Sequence, residues 1–172
     1  MGNRPRKAEV IATDAPAGTE PLSWEDAQAR FNHERFYWLA TVHHLGRPQI
    51  RPVLAVWLDD FVYTTSSPGA QKARNLEHAG YCSLAALTDD MEIVLEGTAS
   101  RLTDVERLED VAATYLAKYG WPATVKDAAF DAPYGAPTAG PPPYVVYEVR
   151  PETMYGFGSK EPFDGQSTRW SF

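Results

Sequence analysis

Apolar residues along this chain follow two rhythms. Between Arg35 and Ala99 they come in short runs rich in β-branched and aromatic side chains, the texture of strands, whereas Val105, Leu108, Val111, Ala112, Tyr115 and Leu116 recur at the spacing of one helix face. The run "FYWLATVHHLGRPQIRPVLAVWL" divides into two strands at His44 to Arg47, because Gly46 supplies turn freedom and Pro48 is best tolerated where a strand starts. Asp59 and Asp60 make the next turn, into "FVYTTS". A helix around Lys72 follows, then "YCSLAAL", a turn at Thr88 to Asp90, and the long run "MEIVLEGTASRL".

Two helix starts carry capping signals. Ser23 opens "SWEDAQARF" with Asp26 three residues on, and Thr103 with Glu106 repeats that spacing ahead of the longer helix, which Lys118 and Gly120 stop. "YVVYEV" adds a sixth strand, and "TMYGFG" is placed to continue the sheet. Short links between successive strands imply a mainly β fold, a six-stranded antiparallel barrel with peripheral helices. In the run 49–58, Ile50, Pro52, Leu54, Val56 and Leu58 share one side, and Gln49, Arg51, Val53, Ala55 and Trp57 share the other. The second side mixes charge, amide and apolar groups, a character that suits a planar ligand or a partner subunit.

Composition sets the limits around this core. With 172 residues the chain is long enough for one domain with a real core and too short for two ordinary ones. Residues 1–21, rich in Ala, Pro, Gly, Thr and charge without an apolar face, read as a flexible tail, and residues 22–158 as the domain. Within it, the Pro-rich stretch 121–143 is too long for a connector and is either a lid or disordered. Lysines and arginines number 16 against 23 acids, a net charge of −7, which argues against nucleic-acid and membrane-surface partners. Any anion must therefore be caught by a local cluster. One cysteine, Cys82, allows no internal disulfide; with no membrane-length apolar stretch and no secretory leader at the start, a cytoplasmic protein is expected.

The stretch "TTSSPGAQKARNL", Thr64 to Leu76, has the makings of such a cluster. If Ser67 caps the helix, Pro68 falls at its first position and free backbone N–H groups face an anion. Lys72 lies one turn in and leans back toward that end, Asn75 shares its face, and the hydroxyls of Thr64, Thr65 and Ser66 approach from the strand. Backbone donors, hydroxyls and one ammonium describe a phosphate seat. An ordinary capped helix with a solvated lysine is the other reading of the same spacing, and the stretch lacks the glycine-to-lysine spacing of a P-loop.

The ordered set "GRP", the strand "RPVL", "K.RNL" and "EGTA" resembles the pyridoxamine 5'-phosphate oxidase-like, or flavin/deazaflavin oxidoreductase, split β-barrel family, over residues 35–120 and more weakly over 143–158. The resemblance implies a homodimer of split barrels with two cofactors in clefts at the subunit interface, either FMN or the deazaflavin coenzyme F420. It implies that Arg51 and Val53 lie on the strand against the ring and ribityl chain, and that Lys72 binds the phosphate with Thr64, Thr65, Ser66 and Asn75 beside it. It also implies that residues 159–172 are a C-terminal arm whose Arg169 and Trp170 reach the cofactor of the other subunit. Two departures stand out. True pyridoxamine phosphate oxidases carry a lysine where this chain has Val56 and an arginine where it has Gln71, so vitamin B6 oxidation is not expected.

With such a cofactor, hydride or electron transfer belongs to the ring, and the protein supplies position and electrostatics to a small conjugated substrate. No general acid is assignable, and no metal site is expected. Trp121, Phe130, Tyr134 and Tyr144 are placed to cover the substrate face if the Pro-rich stretch is a lid. The deazaflavin's acidic tail would call on Arg47, Arg51, Arg74 and Lys160. A rival class is a non-catalytic flavin- or haem-binding split barrel, with His33, His43, His44 or His78 as an axial ligand.

Overall fold

Strand pairing in this chain closes on itself. The structure is a computed structural model that describes residues 4–135 and 139–172. Its first elements are β1 (Lys7–Val10), α1 (Trp24–His33), β2 (Tyr37–Val42), β3 (Pro48–Val53), β4 (Ala55–Leu58) and β5 (Phe61–Ser66). Then come α2 (Gln71–Ala79), β6 (Tyr81–Leu87), β7 (Met91–Leu102) and α3 (Val105–Tyr119). A small hairpin, β8 (Thr124–Lys126) and β9 (Ala129–Asp131), precedes β10 (Val145–Gly158) and β11 (Ser167–Ser171).

The ladders run β2 to β3, β4 to β5, β5 to β10, β10 to β7, β7 to β6 and β6 back to β2, all antiparallel. Counting β3 and β4 as one strand bent at Leu54, the circuit is the six-stranded antiparallel barrel that the pattern predicts. At such a bend, backbone groups need partners outside the ladders. Side chains supply them. The Leu54 carbonyl accepts from the Thr64 hydroxyl at 3.0 Å and the Tyr115 hydroxyl at 3.1 Å. The Ala55 N–H donates to the Tyr119 hydroxyl at 3.1 Å, and the Ala55 carbonyl accepts from Lys118 Nζ at 3.0 Å.

The bend also changes what the run 49–58 faces. Val53, Ala55 and Trp57, expected on a ligand-facing side, lie in the barrel core with Tyr37, Leu39 and Leu84. Val56 faces the opposite way, into a second apolar cluster that α3 closes with Leu108, Val111 and Tyr115. One side of the run is thus barrel interior, because strand alternation inside a closed barrel leaves no third environment.

Several expectations are corrected by pairing between distant segments. Within the stretch read as a loose tail, Lys7–Val10 pair with β11, and just after it the Leu22 N–H donates to the Thr168 hydroxyl at 2.8 Å. The final residues are no free arm, since β11 lies between β1 and β10 in the main sheet. In the Pro-rich stretch, Trp121, Phe130 and Tyr144 are buried against α3, and of the four aromatics named for a lid only Tyr134 is exposed; residues 136–138 of that stretch lie outside the described residues. α1 starts as expected, with the Ser23 hydroxyl accepting from the Asp26 N–H at 3.2 Å. α3 is capped by Asp104, not Thr103: its carboxylate accepts from the Arg107 N–H at 2.8 Å. No helix among the described residues is long and apolar enough to cross a membrane.

β10 carries a register shift against β7 between Pro151 and Thr153, and Gly97 pairs at that irregularity. A Cβ on Gly97 would sit 2.2 Å from the Arg150 carbonyl oxygen, so only glycine lets the two backbones approach. This is the glycine of the "EGTA" run.

Candidate functional site

α2 begins at Gln71, with Ala70 at its N-cap and no side-chain cap, three residues after the expected start at Pro68. Ser67 does not cap it. The Ser67 carbonyl accepts from the Ala70 N–H at 3.0 Å within a turn, and its hydroxyl donates to the Ala139 carbonyl at 2.5 Å.

Lys72 stands in the first turn of α2, half-buried, with no hydrogen-bond or ion-pair partner among the described residues. Burial, and then the nearby Arg51 guanidinium of β3, hold its ammonium below the usual lysine value. Arg51 is exposed, and its Nη1 donates to the Ile50 carbonyl at 2.7 Å. Arg51 is thus near enough to repel the Lys72 ammonium, and no acid is among the groups that shift it. Such an arrangement is unfavourable for the empty protein and favourable once an anion enters, and its donor set fits a phosphate group.

The hydroxyls do not converge as expected, because a strand turns alternate side chains to opposite faces. Thr64 and Ser66 are buried on one face of β5, and Thr65 is turned to the other. Thr64 is engaged at the bend, and the Ser66 hydroxyl donates to the Ser67 carbonyl at 3.2 Å. Asn75 is buried and fully engaged: its amide donates to the Thr41 hydroxyl at 2.9 Å and to Gln49 Oε1 at 3.1 Å, and its oxygen accepts from Gln71 Nε2 at 2.8 Å. It is a positioning residue that ties α2 to β2 and β3. Gln49 belongs to this linkage and was missed in the sequence, since nothing local marks a glutamine on a strand as the partner of a helix residue.

Val53 is core. Arg169 and Trp170 are also displaced from their expected place. Trp170 has no solvent exposure and lies edge-on to Trp24, with ring centroids 5.9 Å apart; Gly156 packs under it, where a Cβ would be 2.9 Å from the indole. Arg169 makes an ion pair with Glu9 of β1 at 2.5 Å. Both residues serve their own subunit's sheet.

Cys82 is buried, its thiol pushed up to about 12 by burial and, less, by Glu152. That leaves it a poor nucleophile. Among the described residues no group of three or more His, Cys, Asp or Glu is arranged to hold a metal ion.

Comparison with known proteins adds the family. The model of the pyridoxamine 5'-phosphate oxidase family matches residues 23–158. The chain belongs to that family. No curated protein gives a significant match. Among solved structures, a heme binding protein from Mycobacterium smegmatis is similar at 20% identity, covering 87% of this chain and 58% of that one, with a TM-score of 0.61. An FAD-binding protein from Mesorhizobium loti is similar at 18% identity over 88% of this chain and 95% of that one, with a TM-score of 0.57. An F420 reductase is similar at 18% identity over 78% and 98%, with a TM-score of 0.55. At these identities the likeness is one of fold.

The two positions at which this family member departs from true pyridoxamine phosphate oxidases are both structurally committed. Val56 is sealed against α3, and Gln71 is engaged with Asn75 and accepts from Arg74 at 2.9 Å. Neither is free to hold a second phosphate.

Proposed function

We propose that this protein is an oxidoreductase that binds a flavin-type cofactor, FMN or the deazaflavin coenzyme F420, by its phosphate at Lys72 and Arg51, and transfers hydride or electrons to or from a small conjugated substrate. The observation that carries the reading is the half-buried Lys72 ammonium, unpartnered among the described residues and set beside Arg51. Family membership and the flavin- and F420-related names among its structural neighbours support it. The ring would supply the redox chemistry. The chain's part is to fix the phosphate with two cations and to hold β3 in place through Asn75 and Gln49.

The cleft is proposed to be completed by a second copy of the chain. The outer faces of β2, β3 and β6 align Trp38, Val42, Ile50, Tyr81 and Leu87, all exposed. A contiguous apolar face of this kind calls for a covering surface, and a two-fold pairing of the same patch would bring two Arg51 strands toward one interface.

Titrating purified protein with FMN and, separately, with F420, followed by absorbance and fluorescence, tests the reading. One of them should bind stoichiometrically per chain, and Lys72→Ala should weaken it at least about tenfold. Binding of neither, or unchanged affinity in the variant, refutes it. The second reading, a non-catalytic flavin- or haem-binding barrel, is supported by the name of the heme binding neighbour. A Soret band on haem addition without flavin binding would select it.

A further inference from the structure

The β2–β3 turn and α2 assemble a second group of basic side chains, separate from Lys72 and Arg51. The His43 and His44 rings lie 4.0 Å apart, and His78 of α2 stands edge-on to His44 at 6.4 Å. Partial desolvation, followed by the fields of His44, Arg47, Arg74 and His78, holds His43 below the usual histidine value, so all five groups share one neighbourhood. No carboxylate is among the groups that act on His43. Glu77, the only acid of α2, instead accepts from the Tyr147 hydroxyl of β10 at 3.2 Å. Between turn and helix lies a hollow of about 270 Å³ lined by His44, Gln71, Arg74, Asn75 and His78.

The groups around this hollow are held in place before any ligand arrives. The Arg74 guanidinium donates to Gln71 Oε1 at 2.9 Å and to the Gly69 carbonyl at 2.6 Å. The Leu45 N–H donates to His43 Nδ1 at 3.2 Å, a bond that a doubly protonated ring cannot accept. Gln71 and Asn75, the neutral floor, already satisfy each other. In a chain of net charge −7, like charges gathered without an acid are unfavourable until an anion joins them.

We propose that this hollow is a second anion site, for a small multivalent oxyanion, carboxylate or phosphate, that binds when the His44 and His78 imidazoles are protonated and Arg74 supplies the fixed charge. The site does not depend on the redox reading, since its cationic groups, His44, His78 and Arg74, are not those of the phosphate seat, and Asn75, which lines the hollow, is held there by Thr41, Gln49 and Gln71. Protonation linkage sets the sign: an anion stabilises the imidazolium forms, so binding takes up protons and weakens as pH rises through the histidine range.

The test is calorimetric titration of the full chain with citrate and with pyrophosphate at pH 6 and pH 8, with histidine-ring NMR alongside. Affinity should fall about tenfold or more from pH 6 to pH 8, although both ligands become more negative over that interval. At pH 6 the His44 and His78 ring resonances should move with ligand while those of His33, on α1, stay fixed. Arg74→Gln, an exposed position whose fold is checked by circular dichroism, should lose most of the binding. Lys72→Ala should keep it, which separates this site from the phosphate seat. Response to citrate alone identifies a carboxylate ligand, to pyrophosphate alone a phosphate ligand, and to both the shared chemistry. Binding that is equal at pH 6 and pH 8, intact in Arg74→Gln, lost in Lys72→Ala, or absent for both ligands overturns the proposal.

Discussion

Replacing Lys72 by alanine separates a ligand seat from a structural lysine, because the two roles predict opposite outcomes in the cofactor-free protein. There the ammonium is half-desolvated, repelled by Arg51 and without a partner among the described residues, so its removal should leave stability unchanged or slightly improved. In the complex the same group would donate to a phosphate oxygen. Hydrogen bonds to charged groups contribute about 1.5–3 kcal/mol, which at about 1.4 kcal/mol per decade is a roughly 10- to 150-fold loss of affinity. Lys72→Arg, which keeps the charge, should lose less. The assay pairs thermal unfolding of the cofactor-free variant with fluorescence titration at low and high salt; the salt dependence should be shallower in the alanine variant, because one of two cations is gone. A dissociation constant within about twofold of the parent refutes the seat, since even the low end of a charged hydrogen bond exceeds that. A cofactor-free melting temperature lowered by more than about 5 °C refutes the claim that Lys72 is unpartnered.

Other expectations concern the frame around the seat. Trp170→Ala empties a fully buried site against Trp24 and Gly156 and should cost about 3–5 kcal/mol, read as a melting temperature lower by roughly 6 °C or more. A variant that melts normally and loses only cofactor affinity would restore the free-arm picture. Gly97→Ala forces a Cβ to within 2.2 Å of the Arg150 carbonyl oxygen and should lower the melting temperature by at least about 5 °C, or abolish soluble expression; normal stability would mean that the β7–β10 irregularity can shift. Burial holds Lys118 at about 8 against an unfolded lysine near 10.5, so the unfolded chain binds the extra proton between these values and stability should rise with pH from about 8. The gain ends near pH 10, where unfolded tyrosines ionise while Tyr119, raised by burial to about 12, does not; denaturant midpoints at pH 7 and 9.5 should differ in the parent and differ less in Lys118→Met, where only the depressed Lys72 still contributes in the same direction. The proposed pairing through the exposed face of β2 predicts that the parent sediments as a dimer and Trp38→Glu as a monomer; a monomeric parent refutes the pairing, and a variant that stays dimeric places the interface elsewhere.

How much of this was legible in the sequence follows from the range of the interactions involved. The barrel was, because Tyr37–Val42, Tyr81–Leu87 and Met91–Leu102 each alternate between core and exterior, and alternation is a local property that survives into the fold. The Ser23 cap is equally local. The start of α2 was not, because "SSPGA" satisfies the rules for a helix start while the Ser67 hydroxyl is drawn away from the cap to donate to the Ala139 carbonyl, 72 residues away. β1 failed because its partner lies across the whole chain, and β11, though it also pairs with the preceding β10, is a short strand whose other edge is covered only by that distant partner, so one looked like a tail and the other like an arm.

The same distinction governs the candidate site. Side chains at matching helix spacing were expected to share a ligand, yet spacing fixes only direction, and what a polar group does is decided by who reaches it first. Asn75 points as expected, but Thr41, Gln49 and Gln71 take its hydrogen bonds. Thr64 is beside the site and is engaged at Leu54. Lys72 differs because the charged group that shifts its ammonium is another cation, and among the described residues it has no hydrogen-bond or ion-pair partner. Among the described residues, two groups of cations around α2 are set close together without a carboxylate as hydrogen-bond or ion-pair partner: Lys72 with Arg51, and His44 and His78 with Arg74. In an acidic chain, cations left unneutralised by their own fold are the positions at which an external anion gains most, which is the physical ground for proposing the seam between β3 and α2 as the place where this barrel binds its anions.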